Sequence, residues 1–215
     1  MPLPRFENLP PERRRAILEA AADEFAEHGF EGASFNRIIA SAKISKGAMY
    51  YYFADKADAY GAVMDDVFDR SEVLVQDIET PTDAASFWAA FEVGFARIGA
   101  MLFSDPRLGA LARTFYQGGV GATYRRLMAR STEWIQRLLV LGQSVGAVRS
   151  DVPVDLLIEA TMGMLVGMDR WFAEAMERLP PEELLPLGPK MLELMQDLLA
   201  PRREGALETN TSLAK

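Results

Sequence analysis

A chain of 215 residues, 49% hydrophobic and 25% charged, can bury a substantial core in one or two domains, which excludes a disordered polypeptide. It has no cysteine, which excludes disulfides and thiolate metal sites, and its one histidine, His28, is too little for a metal cluster or a catalytic triad. The formal charge of −8 argues against nucleic acid when taken whole, but the first 56 residues carry eight basic and eight acidic side chains, so the excess acid lies entirely in the remainder.

In chain order, Pro10-Pro11 offers a helix start. From Glu12 to His28 the apolar residues Ile17, Ala21 and Phe25 recur every fourth position, and Gly29 supplies a stop. His28 reads as a residue at a helix C-terminus, where a partly cationic ring suits the dipole. The segment before Pro10 lacks a secretory core, and no apolar run reaches the roughly 18 residues of a bilayer span. A cytoplasmic location with no membrane partner is expected.

Ser34 to Lys56 predicts two short helices and a tight turn. Ser34 stands at the N-cap of Phe35 to about Ala40. Ser41-Ala42-Lys43-Ile44 is turn length. Ser45 caps the second helix, with Ile44 before it and Met49 within it arranged as a hydrophobic staple. Met49 and Phe53 share one face. Between Glu31 and Asp55 there is no acid, while Arg37, Lys43, Lys46 and three tyrosines lie there. A helix-turn-helix sets its second helix in the major groove with N-terminal residues on base edges. Lys46, Gly47, Ala48 and Tyr50 occupy that end. Gly47 costs about 1 kcal/mol in a helix relative to Ala, and close approach to a DNA backbone is one reason to keep it. A polar hairpin with an aromatic face is the alternative.

The stretches RRRAILEAAADEFAEHGFEGAS and SKGAMYYYFADKADAY resemble the TetR family of bacterial transcriptional regulators. The residues that carry the resemblance are Gly29, Phe30, Ser34, Ser45, Gly47, Met49, Tyr50, Phe53 and Lys56. Lys43 departs from the usual turn glycine, Ile39 from a small residue and Ala48 from threonine. The resemblance implies a ligand-responsive regulator that binds a palindromic double-stranded DNA operator as a homodimer; repression is the expected sense, with activation the alternative. It also implies that Lys56 meets a phosphate. On this reading Ser34, Tyr51 and Lys56 hold phosphates, Asn36, Lys46, Gly47 and Tyr50 approach base edges, Arg37 does either, and Ser45 and Ala48 complete the interface. Arg13, Arg14 and Arg15 either reach phosphates or form a solvated face.

Asp55 caps a long helix predicted from Lys56 to near Ile78, ended by Thr80-Pro81. It leads from a DNA-binding domain, 1–60, into a helical ligand-binding and dimerisation domain, 61–200, followed by a polar, mobile tail, 201–215. Further helices are expected over Ala84–Phe103, Pro106–Tyr116, Val120–Val145, Val154–Arg178 and Glu182–Leu199, with Gly118-Gly119, Gly146 to Pro153 and Leu179-Pro180-Pro181 as breaks. No strand-like alternation appears, so the class is all-α.

Apolar stripes on the last two long helices, Leu156 to Phe172 and Leu184 to Leu199, suit either a monomer core or the symmetric four-helix interface of a dimer. Met and aromatic residues concentrate at Trp88, Phe91, Phe95, Phe115, Tyr116, Tyr124, Met128, Met164, Met168 and Trp171. They are core residues or the lining of a pocket for a small hydrophobic or aromatic effector. Arg97, Arg113, Tyr116, Gln117 and Tyr124 are its candidate polar contacts. Gly163 and Gly167 suggest a close helix approach. No phosphate loop, dinucleotide fingerprint, HExxH or nucleophile elbow is present, so neither enzyme chemistry nor a cofactor is expected. A helical small-molecule carrier that never reads DNA is the rival from another class.

Overall fold

The computed structural model describes residues 3–116 and 121–202. The Gly118-Gly119 break, Gln117 and the tail from 203 onward lie outside them. All regular structure among the described residues is helical: α1 Pro4–Glu7, α2 Pro11–Gly32, α3 Phe35–Ser41, α4 Lys46–Tyr52, α5 Lys56–Val73, α6 Ala84–Ser104, α7 Pro106–Tyr116, α8 Gly121–Ser144, α9 Val154–Ala175, α10 Pro181–Leu184 and α11 Leu187–Leu199.

Local chemistry sets most boundaries. Gly29 adopts φ 64°, breaking the helical path inside α2 one turn before it ends. Asp55 caps α5 by accepting from the Asp58 N–H at 2.9 Å, and Asp83 with Ser86 forms a capping box at the start of α6. Three expectations are corrected. The helix from Lys56 ends at Val73, where turn-type bonds take over through Ile78. The segment from Glu182 divides in two because Pro186 has no N–H to continue it. α6 is, by length and composition, apolar enough to cross a bilayer, contrary to the sequence reading.

Burial falls into two hydrophobic clusters. The first joins Phe6, Ile17, Phe25, Ile38, Met49, Phe53 and Tyr60 to Leu108, Leu111 and Phe115 of α7 and Leu127 of α8. The second gathers Phe87 of α6, Ile135 and Leu139 of α8, Leu157 and Ile158 of α9, and Leu199 of α11. The N-terminal helices therefore share a core with α7, and position 60 is no gap in packing. Ion pairs add to that contact: Arg107 of α7 reaches Asp23 of α2 at 2.8 Å, and Arg130 of α8 reaches Asp69 and Glu72 of α5 at 2.7 and 2.6 Å.

The stripes on α9 and α11 each split. Leu157, Leu192, Met195 and Leu199 face inward and are buried. Leu156, Trp171 (45% exposed), Leu185 and Leu194 (55% exposed) face outward. A groove of about 350 Å³ runs between Gly167, Met168 and Trp171 on one side and Leu187, Met191 and Leu194 on the other.

Candidate nucleic-acid interface

α3 and α4 are too short to persist alone, and the structure shows what holds them. Ile38, Met49 and Phe53 are fully buried, with Phe6 of α1 against Phe53 at a ring distance of 4.7 Å. Lys43 takes φ 51° in the turn, the left-handed conformation that its position requires and that glycine adopts more cheaply. Arg13 donates to the Lys43 carbonyl at 3.3 Å across the turn. The Ser45 hydroxyl accepts from the Ala48 N–H at 3.1 Å, capping α4.

Burying Met49 and Phe53 turns the opposite face of α4 outward. Lys46 and Gly47 are exposed, and Tyr50 and Tyr51 are each 51% exposed. These large rings are braced: Tyr50 meets Phe35 edge-on at 5.6 Å, and the Arg5 guanidinium lies 4.3 Å over Tyr51. A Cβ built at Gly47 meets nothing closer than Ser45 Oγ at 3.9 Å, so packing within the chain does not demand glycine there. Arg5 was missed in the sequence; Pro4 followed by an apolar Phe6 was the only signal of a one-turn helix.

The support beneath this face is polar. Glu24 of α2, 7% exposed, accepts from the Ser34 N–H at 2.7 Å and from Arg37 at 2.8 Å. Burial pushes its carboxyl up, but the bonds from Arg37 and Ser34 outweigh this and hold it below the usual glutamate value. Arg37 also donates to the Gly32 carbonyl at 2.6 Å. Lys56 donates to the carbonyls of Glu31 and Ala33 at 2.9 and 3.3 Å, with its ammonium 4.7 Å over the Phe30 ring.

The predicted interface thus divides. Asn36, Ser45, Lys46, Gly47, Tyr50 and Tyr51 are exposed, and Ala48 is half-buried beside them. Lys56, expected on a phosphate, and Arg37, expected on a phosphate or a base edge, have donors engaged in tying α2 to α3 and α5. Ser34 occupies the cap position, but its backbone and not its hydroxyl makes the bond. Arg14 and Arg15 pair with Glu7 and Glu19 at 3.0 and 2.9 Å. His28 lies 3.8 Å from Glu24 and 3.7 Å from Glu27.

The ten expected ligand residues are not gathered at one place either. Phe115 is closed within the first cluster, with Tyr116, Tyr124 and Met128 packed on its edge. Trp88 packs on the second. Met168 and Trp171 line the outward groove, and Met164 lies one turn before Met168 on the same helix. Phe91 and Phe95 remain half-buried along α6. Sequence could not separate them, because α9 is apolar on two faces. The close approach expected at Gly163 and Gly167 is not made within the described residues, since a Cβ at either position meets nothing within 4 Å.

A capped, acid-free short helix presented outward on a three-helix support belongs to a helix-turn-helix DNA-binding regulator. Residues 17–63 match the family described as bacterial regulatory proteins, tetR family. The transcriptional repressor AcnR of Corynebacterium diphtheriae is 29% identical over 163 residues, 67% of this chain and 73% of that protein. A TetR family transcriptional regulator from Chloroflexus aurantiacus is 25% identical with a TM-score of 0.57, covering 92% of this chain and 94% of its own. FadR from Bacillus subtilis, solved in complex with stearoyl-CoA, shares the fold with a TM-score of 0.68 at 18% identity, over 84% of this chain and 96% of its own. Residues 17–63 thus carry the N-terminal domain of the TetR family of bacterial transcriptional regulators, and the rest of the chain is similar to regulators of that family. The carrier without DNA readout is set aside.

Proposed function

We propose that the chain is a repressor that binds a palindromic operator as a homodimer and is released by a small hydrophobic molecule. The observation that carries this is the outward edge of α4, where Lys46, Gly47 and Tyr50 stand free of acids on a buried base of Met49 and Phe53. Lys46 and Tyr50 are assigned to base edges with Asn36, and Tyr51 with Arg5 to phosphate. Arg37 and Lys56 act chiefly as struts that fix the angle of α3 and α4. Gly47 permits the backbone of α4 to approach DNA closely. Two copies joined through the outward stripes of α9 and α11 present two such edges, which calls for two half-sites about one helical turn apart. Residues 1–60 act as the reading head and 61–200 as the effector and dimer body, in the cytoplasm.

Gel retardation on the DNA flanking the chain's own gene tests the reading. Sequence-selective binding that weakens steeply with salt is expected. Lys46→Ala should reduce discrimination between the correct base and its substitutes by about 1–3 kcal/mol at one position of each half-site. Unaltered discrimination removes Lys46 from the base-reading role.

A further inference from the structure

A cleft of about 860 Å³ opens between α2, α5 and the start of α7. Its floor is apolar: Val63 of α5 and Leu108 and Leu111 of α7 line it and are buried in the first cluster. Its rim is charged, with Arg14 and Arg15 on the α2 side and Asp66 and Arg70 on the α5 side. An apolar floor under a few convergent charged groups is the anatomy of a small-molecule site.

The rim groups differ in how far the chain already occupies them. Arg107 of α7 is closed, with Nε, Nη1 and Nη2 donating to Asp105 or Asp23 at 2.9, 2.8 and 2.7 Å. Arg14 donates through Nη1 to Glu7, and Arg15 through Nε to Glu19. A guanidinium carries five N–H donors, so both keep several for a further acceptor. Asp66 and Arg70, one turn apart on α5, approach only to 3.9 Å, and among the described residues neither side chain makes a hydrogen bond. Burial pushes the Asp66 carboxyl up, while Arg70, Arg14 and Arg15 pull it down, so three cations from two helices act on this one carboxylate.

A carboxylate and a guanidinium side by side, both short of hydrogen bonds, call for a ligand that carries a cationic donor next to an anionic acceptor. An anion alone meets Asp66 as a like charge, and a cation alone meets Arg70, Arg14 and Arg15. An α-amino acid sets its ammonium and carboxylate on one carbon, in keeping with the close spacing of Asp66 and Arg70. We propose that this cleft is a ligand site apart from the groove between α9 and α11, and that it takes an α-amino acid with an apolar side chain. The ammonium sits on Asp66, the carboxylate lies between Arg70 and the arginines of α2, and the side chain rests on Val63, Leu108 and Leu111. A ligand so placed bridges α2 to α5. Its binding does not depend on DNA recognition.

Leucine, 4-methylpentanoate and 3-methylbutylamine share one apolar body and carry both charges, the anion alone and the cation alone. Each is titrated into the full chain by calorimetry. Leucine is expected to bind about tenfold or more tightly than either, the worth of one hydrogen bond to a charged group. Asp66→Asn should bring leucine down to the affinity of 4-methylpentanoate, and Arg70→Gln should weaken leucine by about tenfold or more. Saturating leucine should also raise the midpoint of thermal unfolding of the unaltered chain, and the rise should be lost in both variants. Equal binding of leucine and 4-methylpentanoate, a leucine affinity indifferent to both substitutions, or no binding of leucine at millimolar concentration overturns the inference. The comparison of the three probes on the unaltered chain stands whether or not either variant folds.

Discussion

Tyr60 and Glu24 hold the reading head in opposite ways. Tyr60 is fully buried against Phe25 and Phe30, with ring distances of 5.2 and 5.4 Å, and its hydroxyl has no hydrogen-bond partner among the described residues. Its ring contributes packing while its oxygen costs desolvation. Tyr60→Phe should therefore leave stability unchanged or raise it by up to about 1 kcal/mol, read from urea denaturation. Glu24 is the reverse case, a buried carboxylate satisfied by two partners. Its folded pKa is depressed, so its contribution is complete above the ordinary glutamate value of 4.5 and is lost as pH falls through the lower folded value. Glu24→Gln should melt at a lower temperature than wild type at pH 7, and the gap should narrow as the pH drops below 4.5. A constant gap across that range would show that the ionised carboxylate is not what matters.

At the level of elements, helix contacts are close enough to specify single atoms. Gly142 of α8 lies where a Cβ would run into Val148 and approach Phe87 Cζ at 2.9 Å. Alanine gains about 1 kcal/mol of intrinsic helix preference over glycine. Both neighbours are buried in the second cluster, however, and overpacking costs about 1–3 kcal/mol. Gly142→Ala should thus destabilise the chain on balance, seen as a lower midpoint of thermal unfolding. A higher midpoint would mean that the turn at Gly146 yields and Val148 moves aside. α7 has a different position, because Leu108, Leu111 and Phe115 anchor it in the core of the head while Tyr116 at its end reaches Asp169 of α9.

For the whole molecule, the decisive feature is an apolar groove that the described residues leave uncovered. Trp171, Met191 and Leu194 are costly to leave in water as one continuous patch, and in the proposed dimer a second copy related by a two-fold axis would cover the same patch on both partners. If the proposed dimer uses this patch, Leu194→Arg on α11 should convert it into a monomer by light scattering while leaving helical content intact. Its operator affinity should fall steeply, since one head then binds without its twin. A variant that remains dimeric would place the interface elsewhere on the body.

Much of this was legible in the sequence because it depends on neighbours along the chain. The i, i+4 repeat of Ile17, Ala21 and Phe25, the caps at Ser45 and Asp55, and the glycine at position 29 each act within one or two turns, so the order of helices and the outward edge of α4 follow from them. What only the tertiary structure decided is where distant partners meet. Nothing local indicated that Glu24 would draw in Arg37, that Lys56 would fold back on two carbonyls, or that Arg5 would cover Tyr51. The same holds for α9, whose sequence is apolar on two faces. Only the position of α11 and α7 around it shows that Trp171 looks outward while Leu157 looks in, because facing is set by what the rest of the chain leaves uncovered.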